Sequence, residues 1–132
     1  MADYLPTPNG WPNNLFILKC TIGTAADGAS EIVPLQGKAI VGLIMPASWT
    51  AAAIQYYGSI NGNARELKAL KDGSTSVYLQ TLVAAGDWIV FPLADALFAP
   101  YVQLVSVTAT TVTPVVQGAD REILLLVRNY LD

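Results

Sequence analysis

The residues that could do acid–base chemistry are scattered along this chain. Asp27, Glu31, Asp87, Asp95 and Asp120 each fall in a separate turn or strand end. Glycoside hydrolysis needs two convergent carboxyl groups, one of them with a raised pKa, and nothing in the spacing pairs these five. Histidine is absent, which removes Ser-His-Asp and Cys-His nucleophilic sites, His-ligated zinc and the usual general base near neutral pH. Cys20 is the single cysteine, so neither an internal disulfide nor a Cys-x-x-Cys motif can form. It lies in the apolar run Leu15-Phe16-Ile17-Leu18-Lys19-Cys20-Thr21-Ile22, where a small core hydrophobe is the expected role. Asp27-Gly28 and Asp72-Gly73 lack the Asp-x-Asp-x-Asp run of a calcium loop and read as turns. A Gly-rich phosphate loop is missing as well. The expectation is a protein that is not an enzyme and holds no cofactor or metal.

Binding chemistry is better represented. Three tryptophans and six tyrosines raise the possibility of a carbohydrate platform, with Trp88, Tyr56 and Tyr57 as candidate rings. Strand alternation turns Tyr56 inward with Ile54 and leaves Tyr57 outward, while Trp49, after Pro46-Ala47-Ser48, is expected in the core. Apolar residues make up 53% of the 132 and charged residues 13%, about half the ~25% of an ordinary soluble domain. That composition excludes intrinsic disorder. A net charge of −3 with seven scattered Lys and Arg argues against a nucleic-acid footprint. The opening residues show no secretory-signal pattern, and no apolar run approaches the ~20 residues of a membrane helix. A monomer so poor in charge would expose much apolar surface, so a large protein partner is expected.

The elements that must position these residues are short strands. Residues 1–13, with Pro6, Pro8 and Pro12 around Asn9-Gly10, form an extended arm that cannot enter a helix or a sheet interior. Trp11 in this arm is either an anchor folded back on the domain or a plug into a neighbour. Residues 14–132 form one domain. Strands are predicted over 15–22, 31–35, 39–45, 52–57, 76–83, 88–92, 101–107 and 122–128. Turn signals stand between them: Asp27-Gly28, Gln36-Gly37, Asn61-Gly62, Asp72-Gly73, Ala85-Gly86 and Gln117-Gly118. Residues 94–98 can make one helical turn before Pro100, and 64–71 fits a short helix or an edge strand. Eight strands with little helix give an all-β fold, an antiparallel β-sandwich of jelly-roll type with an N-terminal arm.

The last strand carries the most specific message. Ile123, Leu125 and Val127 form one row, and Glu122, Leu124, Leu126 and Arg128 form the other. Two leucines between charged ends are too apolar for free solvent, so another sheet or another subunit is expected to cover them. Asp120-Arg121, just before this strand, reads as a local loop clamp, with an inter-subunit ion pair as the other reading. Candidate interaction residues are therefore Trp11, Tyr57, Leu124, Leu126 and Arg128.

One stretch resembles a known pattern. Ala39-Ile40-Val41-Gly42-Leu43-Ile44-Met45-Pro46-Ala47-Ser48-Trp49-Thr50-Ala51-Ala52 is similar to small virion proteins of tailed phages and prophages. In these a strand leads into Met-Pro, a small pair and Trp-Thr-Ala-Ala. Ile54-Gln55-Tyr56, Val83-Ala84-Ala85-Gly86, Tyr101-Val102-Gln103-Leu104-Val105-Ser106 and Pro114-Val115-Val116-Gln117-Gly118-Ala119-Asp120-Arg121 resemble the later segments. The likeness runs over residues 31 to 128. Asn61 stands where the pattern has Asp, and the arm lies outside it. The resemblance implies a bacteriophage structural protein, a capsid decoration (cement) protein, with a head-fibre base or tail component next. It further implies a homotrimer made in the host cytoplasm and carried on the outer surface of the virion, against the major capsid protein. It implies no active-site residues. The alternative from the aromatics is a carbohydrate-binding sandwich module. Neither reading involves nucleic acid or a membrane.

Overall fold

The computed structural model describes residues 4–71, 79–80, 83–91 and 97–129. Within them the chain is an antiparallel β-sandwich. Sheet A has the order β1 (Tyr4–Leu5), β2 (Leu15–Ile22), β11 (Arg121–Asn129), β4 (Lys38–Ile44), β8 (Trp88–Val90), with β9 (Leu97–Phe98) also on β4. Sheet B has the order β3 (Val33–Pro34), β10 (Tyr101–Val107), β5 (Ala53–Ser59), β6 (Lys68–Ala69), with β7 (Leu79–Gln80) also on β5. Every strand pair is antiparallel. Among the described residues helix is confined to a 3-10 turn, Ala64–Glu66, capped by the Asn63 side chain accepting from the Arg65 N–H. The ambiguous 64–71 stretch thus divides into a turn and a short strand. Asp72-Gly73, Asp95, most of the predicted 76–83 strand and the first part of the predicted 94–98 turn lie outside the described residues. Leu97 and Phe98, at the end of that turn, are strand.

The inner faces hold the core. Ile54, Tyr56, Val102, Leu104, Ile123, Leu125 and Val127, expected inward from alternation, are all buried at 0–1% exposure. The buried hydroxyphenyl ring of Tyr56 meets Phe91 edge-on, with centroids 6.5 Å apart, the arrangement that the ring quadrupole favours. Alternation fails at one informative point. Ile40 and Leu43 both reach the core although they stand three positions apart, an odd step in a strand. The β11–β4 register slips between Leu126 and Val127, and this bulge places one extra residue on β4. Its effect is to leave Val41 and Gly42 together on the outward side.

Turn chemistry fixes the hairpins. Gln36 and Gly37 take φ of 54° and 79°, and the Lys38 N–H donates to the Leu35 carbonyl at 3.1 Å, which closes the β3–β4 connection. Gly28 (φ 64°) has a different duty. A Cβ there would lie 2.8 Å from the Ser106 carbonyl oxygen, so the loop lies against β10 only because this residue has no side chain. The Ser106 N–H then donates to the Gly28 carbonyl at 2.9 Å.

The N-terminal arm folds back on its own domain at its start. Tyr4 and Leu5 pair with Leu18 and Ile17 at the edge of sheet A. The Tyr4 ring packs edge-on to Phe16 at 6.0 Å, and the Lys38 Nζ lies 5.2 Å and 4.8 Å from the two ring centroids. These contacts plug the end of the sandwich. They also shield the β2 edge, which would otherwise offer unpaired backbone groups to another chain.

Candidate functional site

The outer face of sheet A is where the sequence-derived candidates meet. Pairing registers fix its layout. Lys19, Leu124, Ile44 and Trp88 form one cross-strand row, and Ile17, Leu126, Gly42 and Val90 form the next. Leu15 and Arg128 continue the face at one end, and Thr21 and Glu122 at the other. Across β11, β4 and β8 the centre is therefore apolar, with Lys19 at its β2 side, and charges stand at the two ends of β11. Among the described residues no second sheet covers it. Trp88 and Val90 stay 61% and 72% exposed, high values for large apolar side chains on a sheet face.

A groove of about 390 Å³ crosses the same face. Its floor is Leu126 and Val41, its walls are Pro12 and Leu15 on one side and Trp88 and Val90 on the other, and Arg128 lies at its end. The second concavity, about 320 Å³, lies beside β6 and is lined by Ile60, Leu70 and Phe98, with Glu66 and Lys68. A single carboxylate lines the second groove and none lines the first. No cluster of three or more His, Cys, Asp or Glu capable of holding a metal occurs among the described residues.

Three of the five candidates come together here: Leu124, Leu126 and Arg128. Leu126 departs from the expectation that a partner must cover it. It is already buried to 5% exposure. Gly42 opposite has no side chain, and a Cβ there would lie 3.1 Å from Leu126 Cδ1, so Leu126 lies flat over the glycine and becomes floor. Leu124, with Ile44 beside it, remains half-buried. Tyr57 sits on the outer face of sheet B, half-buried with Ala53, Val105 and Val107. Trp11 is half-buried in the arm, its N–H donating to the Pro8 carbonyl at 3.3 Å. Trp88 and Tyr57 thus occupy opposite faces of the sandwich, and Tyr56 is buried, so the three candidate sugar-stacking rings do not converge.

Sequence reasoning weighed Trp88 only as a sugar platform and passed over Val41, Ile44 and Val90. The signal was present in the run Trp88-Ile89-Val90-Phe91, where both alternating rows are apolar. Such a strand cannot put all its apolar groups in one core.

Two smaller expectations resolve nearby. Arg121 acts as a local clamp, but toward Gln117 and Thr50. Its Nε donates to Gln117 Oε1 at 3.2 Å and its Nη2 to Thr50 Oγ1 at 3.4 Å. The buried Gln117 amide in turn accepts from the Thr50 N–H at 2.9 Å and donates to the Thr50 carbonyl at 3.1 Å, which pins the Trp49–Thr50 loop. Asp27 accepts from the Ala29 N–H at 3.1 Å, the turn role predicted for it. Cys20 is fully buried, and desolvation pushes its thiol pKa far up, so it is a packing residue rather than a nucleophile.

Comparison with known proteins adds no relative: no family model, no curated protein and no solved structure matches the chain.

Proposed function

We propose that this protein is a structural subunit of a phage virion, specifically a capsid decoration (cement) protein that braces the shell through subunit contacts. The observation that carries the reading is the exposed apolar centre of sheet A's outer face, Trp88 and Val90 with Leu124 and Ile44, between charged ends. An apolar centre with a polar rim is the anatomy of a protein–protein contact. Covering Trp88 and Val90, 61% and 72% exposed, would gain for each most of the roughly 1.5–3 kcal/mol that a fully exposed side chain of this kind gains. The half-buried Leu124 would gain less, and the sum stands against an association cost of about 4–15 kcal/mol. Exposed ion pairs at about 0–1 kcal/mol each could not supply this.

The winding of the sandwich supports the same reading. The chain crosses repeatedly between sheets, with the order β2, β11, β4, β8 in one and β3, β10, β5, β6 in the other. We read this order as a jelly roll, an architecture recurrent in viral shells. The resemblance of residues 31 to 128 to small virion proteins supports the location. On this reading the protein is a homo-oligomer seated on the major capsid protein at the virion's outer surface.

Electron microscopy of particles that carry this protein is the test. Density for the sandwich on the outside of the head, with sheet A's outer face covered, is the expected result. Density confined to the tail would move the protein to a tail component. Glycan binding lost on Trp88→Ala would replace the structural reading with a sugar-binding one.

A further inference from the structure

We propose that the outer face of sheet A seats a second copy of this chain, related by a two-fold axis lying between the two faces and perpendicular to the strands. This rests on reading that face as a subunit contact, and it specifies the occupant and the symmetry. The outward row of β11 is Glu122, Leu124, Leu126, Arg128. Its charges are opposite in sign and stand at the two ends, six residues or about 20 Å apart. A half-turn about an axis level with Leu125 lays Glu122 over the partner's Arg128 and Arg128 over the partner's Glu122. The same operation lays Leu124 over the partner's Leu126.

Neighbouring strands obey the same rotation. Trp88 is level with Leu124 through Ile44, and Val90 is level with Leu126 through Gly42. The half-turn therefore lays Trp88 over the partner's Val90 and Val90 over the partner's Trp88. An axis parallel to the strands and passing over β11 would instead set Glu122 against the partner's Glu122 and Arg128 against the partner's Arg128, and like charges facing each other oppose association. Among two-fold axes that stack β11 on itself, the charge order thus selects the one perpendicular to the strands. A contact of this kind is isologous, using the same patch on both copies.

Size is consistent with two copies. The exposed fractions of Trp88 and Val90, 61% and 72%, with the half-buried Leu124, Ile44, Leu15 and Val41, form an apolar patch on the order of 400 Å². A stable interface takes about 800 Å² from each partner. The rim of Lys19, Thr21, Glu122, Arg128 and Pro12 adds mostly polar area around it. The resemblance implied three copies, whereas this surface closes on two.

The test is native mass spectrometry with light scattering on the full chain and on three variants: Glu122→Arg, Arg128→Glu and the double reversal. The wild type should be a dimer. Each single reversal sets two like-charge pairs against each other and should raise the dimer Kd about 100-fold. The double reversal restores both pairs and should return the Kd to within about threefold of wild type, which separates lost pairing from lost folding. A wild-type monomer at tens of micromolar would overturn the reading of the face itself. A trimer would overturn the two-fold while leaving the face as a contact. A dimer indifferent to both single reversals would overturn the charge pairing.

Discussion

Leu124 and Leu125 are adjacent on β11 and should respond very differently to truncation. Leu125 is fully buried, and its Cα partners Leu18 and Leu43 on the two flanking strands are fully buried too. A cavity left by Leu125→Ala lies beneath the middle of a sheet hydrogen-bonded on both sides, so it cannot collapse. The loss should fall in the range of about 3–4 kcal/mol, within the span for buried leucines whose sites stay open. For a chain of 132 residues the unfolding entropy is about 0.28 kcal/mol/K. The melting temperature should therefore fall by about 11–14 °C. Leu124→Ala removes half-exposed carbon from the outer face and should cost about 1 kcal/mol or less in the isolated fold, with its larger effect on self-association. Urea unfolding followed by tryptophan fluorescence, at a protein concentration low enough to keep the chain monomeric, measures both. Equal losses in the two variants, or less than about 1 kcal/mol for Leu125→Ala, would refute the assignment of faces.

Four further outcomes can be checked. Gly28→Ala should cost about 2–4 kcal/mol, because it adds a left-handed backbone cost to a contact with the Ser106 carbonyl, whereas Gly37→Ala, at φ 79° with open space around it, should cost only about 1–2 kcal/mol. Thermal melts of the pair decide it. Gln117→Leu should cost about 1–3 kcal/mol and raise hydrogen exchange at the Thr50 amide, read by NMR. Cys20 should resist thiol reagents until the chain unfolds. Its folded pKa is raised, so the unfolded state loses this proton first, and stability should fall above the ordinary thiol value of 9.0 by up to about 1.4 kcal/mol per pH unit. Cys20→Ala should lack that extra alkaline slope in urea titrations across pH. Deleting residues 1–13 should leave the sandwich folded by circular dichroism, with a lower melting temperature from the loss of β1 and of the Tyr4 contacts with Phe16 and Lys38.

The sequence by itself determined the class of fold and the division of faces. Alternation is local, since each residue's side is set by its neighbours in the strand, and it assigned Ile54, Tyr56, Val102, Leu104 and the inward row of β11 correctly. Turn positions were legible for the same reason: Gln36-Gly37 and Asn61-Gly62 act through their own backbone angles. The absence of histidine and the single cysteine were equally plain, being counts. Pairing register is not local, and three results depended on it. The bulge opposite Leu126 and Val127 put Val41 and Gly42 on the outer side, which no two-residue period predicts. Gly42 opposite Leu126 turned an expected contact residue into groove floor. The placement of β8 beside β4 brought Trp88 and Val90 level with Leu124 and Leu126, and so made one apolar surface from segments more than thirty residues apart in sequence. Which strands become neighbours is settled by burying both inner faces at once, a condition on the whole chain that no single strand carries.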